Sequence, residues 1–223
     1  MPGDVLKKRK IAVLGSRSVG KSSLVVQFIE NHFVESYYPT IESTFTKSIN
    51  YKGVEYDCDI IDTAGQVKRL FTVTLSRNLV CFFQDEYTIL NSKHAIGIHG
   101  YILVYSVTSR KSFDMVQVVY DKIVNFCGLN SIPCVIVGSK TDLQQSTSRQ
   151  VPANEGQELA NNMHAAWVET SAKTNCNVEC SAHDPGALAI TSIAKVFELC
   201  LGEIEKRTPS NKTEPPASKC IVM

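Results

Sequence analysis

The chain has almost no net charge: 23 lysines and arginines against 22 aspartates and glutamates leave +1 over 223 residues. So even a balance gives no global attraction to nucleic acid or to an acidic surface, and no nucleic-acid partner is expected. The eight cysteines (58, 81, 127, 134, 176, 180, 200 and 220) contain no CxxC pair and no zinc-type spacing. Several sit in apolar runs such as Pro133-Cys134-Val135-Ile136-Val137, so they are read as reduced core residues of a cytosolic protein. No stretch approaches the ~20 apolar residues that a bilayer span needs, and the first residues hold no apolar leader core. Disulfide scaffold, zinc module and integral membrane protein are thereby set aside. Any membrane attachment must have another source.

With 43% apolar residues the chain can bury one substantial core, and the expected organisation is one domain plus a tail. Strand-like runs at Ile11 to Leu14, Tyr101 to Val107 and Cys134 to Val137 are each followed by a polar loop and a helix-compatible segment. That alternation predicts an α/β fold with a parallel sheet. Thr44 to Tyr51 and Val54 to Asp62 flank Lys52-Gly53 and are expected to pair as an antiparallel hairpin adding an edge strand. Val151-Pro152 marks a helix start before Glu155 to Met163, and Ala165 to Thr170 reads as a last strand. Residues 1–8 are a lead-in, 9–207 the domain, and 208–223 a flexible tail rich in proline, serine and threonine. The basic run Lys7-Lys8-Arg9-Lys10 has two readings, a solvated lead-in to the first strand or a patch for a lipid surface.

Gly15-Ser16-Arg17-Ser18-Val19-Gly20-Lys21-Ser22 fits the phosphate-loop pattern G-x-x-x-x-G-K-[ST], directly after one apolar run and before a helical stretch. A glycine turn of this kind aims backbone N–H groups at phosphates, while Lys21 adds positive charge and Ser22 a hydroxyl for Mg²⁺. Asp62-Thr63-Ala64-Gly65-Gln66 closes a strand, placing a carboxylate where it could hold the cation and a glycine where a terminal phosphate can approach. Gly138-Ser139-Lys140-Thr141-Asp142 and Ser171-Ala172-Lys173 follow later strands, at the carboxyl ends where ligand loops of an open α/β sheet gather. A carboxylate such as Asp142 only accepts hydrogen bonds; guanine offers N1–H and N2–H₂ donors where adenine offers none, so GTP is the expected nucleotide.

Taken in this order and spacing, these segments resemble the Ras superfamily of small GTPases over residues 9 to 207. Arg17 to Ser22, Phe33 to Tyr37, Pro39 to Phe45 and Gly100 to Ser109 look most like its Rheb branch. The resemblance implies a P-loop GTPase G domain: a mostly parallel six-stranded sheet with one antiparallel edge strand and helices on both faces. It implies that Ser18, Val19, Gly20, Lys21, Ser22 and Ser23 hold phosphates, that Ser22, Thr40 and Asp62 serve Mg²⁺, and that Phe33 and Lys140 flank the guanine. Ser139, Asp142, Ser171, Ala172 and Lys173 would read the base, with Ala172 N–H on the guanine O6. Tyr37 and Gly65 would lie at the γ-phosphate, and Gln66 would orient the attacking water, so that the chain binds and slowly hydrolyses GTP to GDP. A monomeric switch is implied, with a TOR kinase complex as effector and a tuberin-type GTPase-activating protein opposing it.

Cys220-Ile221-Val222-Met223 has the C-a-a-X form favoured for farnesylation, which implies a farnesyltransferase as partner and a prenyl anchor on Cys220. The expected location is cytoplasm and the cytoplasmic face of endomembranes (vacuole or lysosome, ER or Golgi) or the plasma membrane, because one prenyl chain binds weakly and reversibly.

The chain departs from the family pattern at five places. Arg17 stands where many Ras relatives have glycine, as in Rheb-like proteins; its side chain either crowds the γ-phosphate and displaces Gln66 or points to solvent. Tyr38 replaces the usual Asp of the effector loop, and Ser139 the usual Asn, whose longer amide makes more bonds. After Gln66 the family's Asp-Glu-Tyr run comes only at Asp85-Glu86-Tyr87, eighteen residues later. The intervening Val67 to Gln84 is apolar and poor in turn residues. Valine codons begin GT and a glutamine codon ends AG, so the segment reads either as an in-frame retained intron or as a real insertion packing as a strand or short helix. A second interruption spans about 179–193. A non-switching nucleotide-binding protein, with residues 67–84 disabling the second switch, is the alternative function; an ATP-dependent P-loop kinase is disfavoured by the Asp142 and Ala172 loops.

Overall fold

A computed structural model describes residues 7–35, 39–65, 71–75, 78–82, 97–145, 148–180, 188–191 and 193–207, with backbone alone at 71–75, 78–82, 144–145, 176–180 and 188–191. The strands are β1 (Lys7–Gly15), β2 (Glu42–Tyr51), β3 (Val54–Thr63), β4 (Phe71–Leu75), β5 (Asn78–Phe82), β6 (Gly100–Ser106), β7 (Cys134–Ser139), β8 (Ala166–Ser171), β9 (Cys176–Cys180) and β10 (Leu188–Thr191). The helices are α1 (Lys21–Glu30), α2 (Arg110–Cys127), α3 (Ala153–Asn162) and α4 (Ala194–Arg207).

The main sheet runs β10-β9-β8-β7-β6-β1-β3-β2. Its six-stranded heart from β8 to β2 is parallel except for β2, which pairs antiparallel with β3 from Glu42↔Thr63 to Tyr51↔Val54. Two strands not anticipated from the sequence, β9 and β10, extend it as an antiparallel hairpin beyond β8; β9 straddles the start of the second interruption and β10 lies within it. The first interruption carries β4 and β5, which pair with each other in a separate two-stranded sheet.

A sheet covered on both faces needs strands that are apolar on both sides, which is why β1, β6 and β7 read as continuous apolar runs. Along β1, Ile11 and Val13 belong to the core under α1 and α4, while Ala12 and Leu14 belong to the core under α2 and α3. In the first core Phe28 of α1 stacks on Phe197 of α4, with ring centroids 3.9 Å apart and planes inclined by 16°. Such a pair adds about 0.5–1.5 kcal/mol beyond its buried area. Helix α2 starts where the Ser109 hydroxyl accepts the Ser112 N–H and stops at Gly128, whose φ of 64° suits a left-handed cap. That stop leaves Cys127 exposed on the last turn, against the expectation of a core residue, whereas Cys58, Cys134 and Cys200 are buried. Among the described residues no helix is long and apolar enough to cross a membrane.

Candidate nucleotide site

All four parallel strands that feed ligand loops end at one edge of the sheet. The loops after β1, β3, β7 and β8, together with residues 33–35 and 39–43, line a cleft of about 1070 Å³.

The loop after β1 is shaped by backbone that other residues would oppose. Gly15 has φ of 149°, and a Cβ there would collide with the Val104 carbonyl. Gly20, at φ of 100°, caps α1 without any side-chain hydrogen bond to the first turn. The leading N–H groups of α1 therefore remain for an anion in the cleft. Lys21 is the second half of that anion site. Its Nζ donates to the carbonyls of Gly15 (3.2 Å) and Ser16 (2.9 Å), within the loop it closes. Burial lowers its ammonium pKa to about 8, an effect opposed by the nearby Asp62 carboxylate.

Three hard oxygen donors converge beside Lys21. Ser22 Oγ lies 2.6 Å from Thr40 Oγ1. Asp62 is buried, and its Oδ1 has no hydrogen-bond partner. Burial pushes its carboxyl above the ordinary range, while the Ser22 hydroxyl and the Lys21 charge pull it back down. An orphaned buried carboxylate oxygen beside two hydroxyls fits a small, hard divalent cation. Among the described residues no group of three or more His, Cys, Asp or Glu converges, so a softer all-protein metal cage is not built here.

Over the phosphate loop lies Gly65. A Cβ on residue 65 would come within 2.4 Å of Arg17 Cα, 2.6 Å of its Cγ and 2.7 Å of its N. Arg17 thus occupies the space next to residue 65, its side chain exposed along the cleft wall.

At the far end of the cleft the two base-side loops are locked together. Ser171 Oγ donates to Asp142 Oδ1 at 2.6 Å and accepts from Thr174 N–H at 3.3 Å. Asp142 lines the cleft, where a pair of N–H donors would satisfy its remaining acceptor capacity. Lys140, with φ of 65°, donates from Nζ to the Ser18 carbonyl at 2.7 Å, tying this loop to the phosphate loop. Buried Ser139 does the same from behind: its hydroxyl faces the carbonyls of Val19 and, at 2.7 Å, Tyr105. One hydroxyl proton serves one of these acceptors at a time. Lys173 pairs with Glu35 at 3.2 Å, joining the last loop to the segment that carries Phe33.

Of the residues singled out from sequence, Arg17, Ser18, Gly20, Lys21, Ser22, Ser23, Phe33, Thr40, Asp62, Gly65, Ser139, Lys140, Asp142, Ala172 and Lys173 line this one cleft. Val19 lies behind it in the core, and Ser171 stands behind Asp142. Tyr37, Tyr38, Gln66 and Cys220 lie outside the described residues. The clamps Ser171–Asp142, Ser139–Tyr105 and Lys173–Glu35 were not anticipated; partners separated by 29, 34 and 138 positions leave no local signature.

Comparison with known proteins gives a consistent result. The model of the Ras family matches residues 10–82 and 83–184, two pieces that meet inside the first interruption. The chain is 51% identical over 218 residues to GTP-binding protein rhb1 of Schizosaccharomyces pombe, covering 97% of this chain and 98% of that protein. It is 50% identical over 218 residues to the small monomeric GTPase RhbA of Aspergillus fumigatus, covering 97% of each. Against GTP-binding protein Rheb of Homo sapiens it is 47% identical over 169 residues, 76% of this chain and 81% of that one.

Proposed function

The chain belongs to the Ras family of small GTPases, on its Rheb branch, and from that membership we propose how its cleft operates as a slow GTP-dependent switch. Members of the family hydrolyse GTP to GDP and phosphate, and this chain is such a GTPase.

The observation that carries the reading is the polarity of this cleft. One end gathers cationic and N–H groups, Lys21 and the start of α1, beside the oxygen donors Ser22, Thr40 and Asp62; the other presents the Asp142 carboxylate held by Ser171. A triphosphate fits the first end and a base with two N–H donors the second. Ser22, Thr40 and Asp62 are the residues that would hold Mg²⁺, which when bound neutralises charge on the phosphate oxygens. Lys21 binds the outer phosphates, and their charge restores its proton against desolvation. Gly65 allows the γ-phosphate close to its backbone, and Thr40 senses that phosphate from the other side. Gln66 orients the water whose oxygen bonds to the γ-phosphorus as the bond to the β-phosphate oxygen breaks. Arg17, packed on Gly65, crowds that approach and keeps hydrolysis slow.

The GTP-bound arrangement of residues 33–43 is the surface offered to a TOR kinase complex, with a tuberin-type protein accelerating the return to GDP. Tyr38 changes the charge of that surface. Farnesylation at Cys220 by farnesyltransferase brings the protein to cytoplasmic membrane faces, reversibly. A second reading has one observation in its favour: a β-hairpin, β4–β5, follows the γ-phosphate loop closely, where it could uncouple phosphate sensing from partner binding. Single-turnover GTP hydrolysis, and binding of the TOR complex in both nucleotide states, separate the two. The switch requires stronger binding with a non-hydrolysable GTP analogue; equal affinity in the two states leaves a nucleotide-holding protein that does not switch.

A further inference from the structure

The pole of the domain opposite the nucleotide cleft combines three features that the switch itself does not use. The N-terminal edge of the parallel strands places Lys7 and Lys8 there, at the start of β1. The last turn of α4 is bonded to the same edge, since Arg9 Nη2 lies 2.7 Å from Glu205 Oε1. Arg207, where α4 ends, donates to the His164 carbonyl just before β8. On the other face α2 also ends at this pole, as Tyr101 at the start of β6 contacts Cys127 through its hydroxyl at 3.7 Å. Beyond that contact Phe126 and Leu129 are 76% and 51% exposed. The tail therefore leaves the domain from an end that is both basic and studded with bare apolar side chains.

The charges there are layered. In the pair Lys7–Glu205 the side-chain exposures are 49% and 24%. In Lys8–Asp57 they are 82% and 29%, and in Lys206–Glu203 they are 70% and 9%. Each carboxylate is recessed and each ammonium projects, so an approaching surface meets positive charge first. Glu55 is an exposed carboxylate on this edge, next to exposed Lys52. Twelve residues, 208–219, separate α4 from Cys220. Extended, they reach about 40 Å, which tethers the domain without orienting it.

We propose that this pole is a second membrane contact, in which Lys7, Lys8 and Lys206 meet anionic headgroups while Phe126 and Leu129 enter the interfacial layer. The proposal rests on the prenylated-switch reading, because a single prenyl chain binds marginally and stable attachment takes a second signal. The tail brings only Lys212 and Lys219, and the folded domain supplies the rest of the second signal. It also turns the nucleotide cleft and the effector loop away from the bilayer.

The test is sedimentation of full-length GDP-bound protein with vesicles of phosphatidylcholine alone or with 30% phosphatidylserine, at low and high salt. Prenylated wild type is expected to favour the anionic vesicles, and Lys7→Gln/Lys8→Gln to bind them roughly tenfold more weakly with unchanged binding to neutral ones. Phe126→Ser should weaken binding several-fold to both, and high salt should erase the anionic preference. Retained affinity for a fluorescent GDP shows that the variants fold. If the double variant and Phe126→Ser partition like wild type, the pole is not a lipid surface and this inference fails, whatever the state of Cys220. The prenyl reading is scored separately, by the mass of Cys220 after farnesyltransferase treatment and by Cys220→Ser, which should lose most binding yet keep a residual salt-sensitive preference for anionic vesicles.

Discussion

Gly65 lies against Arg17, so a side chain at 65 would meet the Arg17 backbone as well as its Cγ, and Arg17 borders the cleft where a γ-phosphate would lie. Removing the arginine side chain opens that approach. Arg17→Gly is expected to raise single-turnover GTP hydrolysis roughly tenfold, about 1.4 kcal/mol of barrier, with guanine-nucleotide affinity little changed; an unaltered rate would show that Arg17 does not crowd the reaction. Arg149 poses a different residue-scale problem. It pairs with buried Glu169, whose carboxyl is pushed above its ordinary 4.5 by burial and pulled back by Arg149. Because the folded state holds the Glu169 proton more tightly than the unfolded state, this group favours folding most below its unfolded pKa of about 4.5, and the benefit is lost as pH rises through the raised value. Arg149→Met removes the opposing charge and raises that pKa further. Urea unfolding should show a loss of about 3 kcal/mol at pH 7, shrinking as pH falls and Glu169 takes up its proton; a loss that stays constant as pH is lowered would mean that packing, not charge, is what Arg149 supplies.

Among elements, those spelled out by contiguous sequence were the legible ones. β1, β6 and β7 announce themselves as apolar runs because both their faces are buried. The β2–β3 hairpin is announced by Lys52-Gly53, whose φ values of 52° and 79° make the mirror-image turn that such hairpins favour. The phosphate loop was equally plain, since its glycines and lysine act where they stand. β9 and β10 were not legible: five and four residues carry too short a pattern, and their place is set by pairing, β9 with β8 and β10 with β9. The cross-loop clamps were hidden for the same reason, being written in tertiary neighbours. The hairpin of residues 71–82 remains the element with most at stake. Excising Val67 to Gln84, so that Gln66 meets Asp85, is expected to increase the ratio of effector affinities in the GTP and GDP states; an unchanged ratio would clear the hairpin of any effect on switching. Transcripts sequenced across that junction decide whether cells make the shorter or the longer chain.

For the molecule as a whole, the cleft lies where loops from four strands converge, and a bound nucleotide would tie them together. Ligand binding to the folded state alone adds about 2.7 kcal/mol at a hundredfold excess over Kd, which for a domain of this size corresponds to a rise in Tm of about 5–10 °C. GDP with magnesium should give that rise and ATP at equal concentration almost none; a comparable shift with ATP would contradict base selection by Asp142. The two interruptions show a further property of the architecture. The first pairs its two strands with each other, β4 with β5, and the second adds β10 at the outer edge through β9, which pairs with β8; the strand order from β8 to β2 is the same inside both. Additions that hang on the sheet's outer edge or pair only with themselves can be gained or lost without renegotiating the six inner strands, so new surface at these two places costs the nucleotide-binding scaffold nothing.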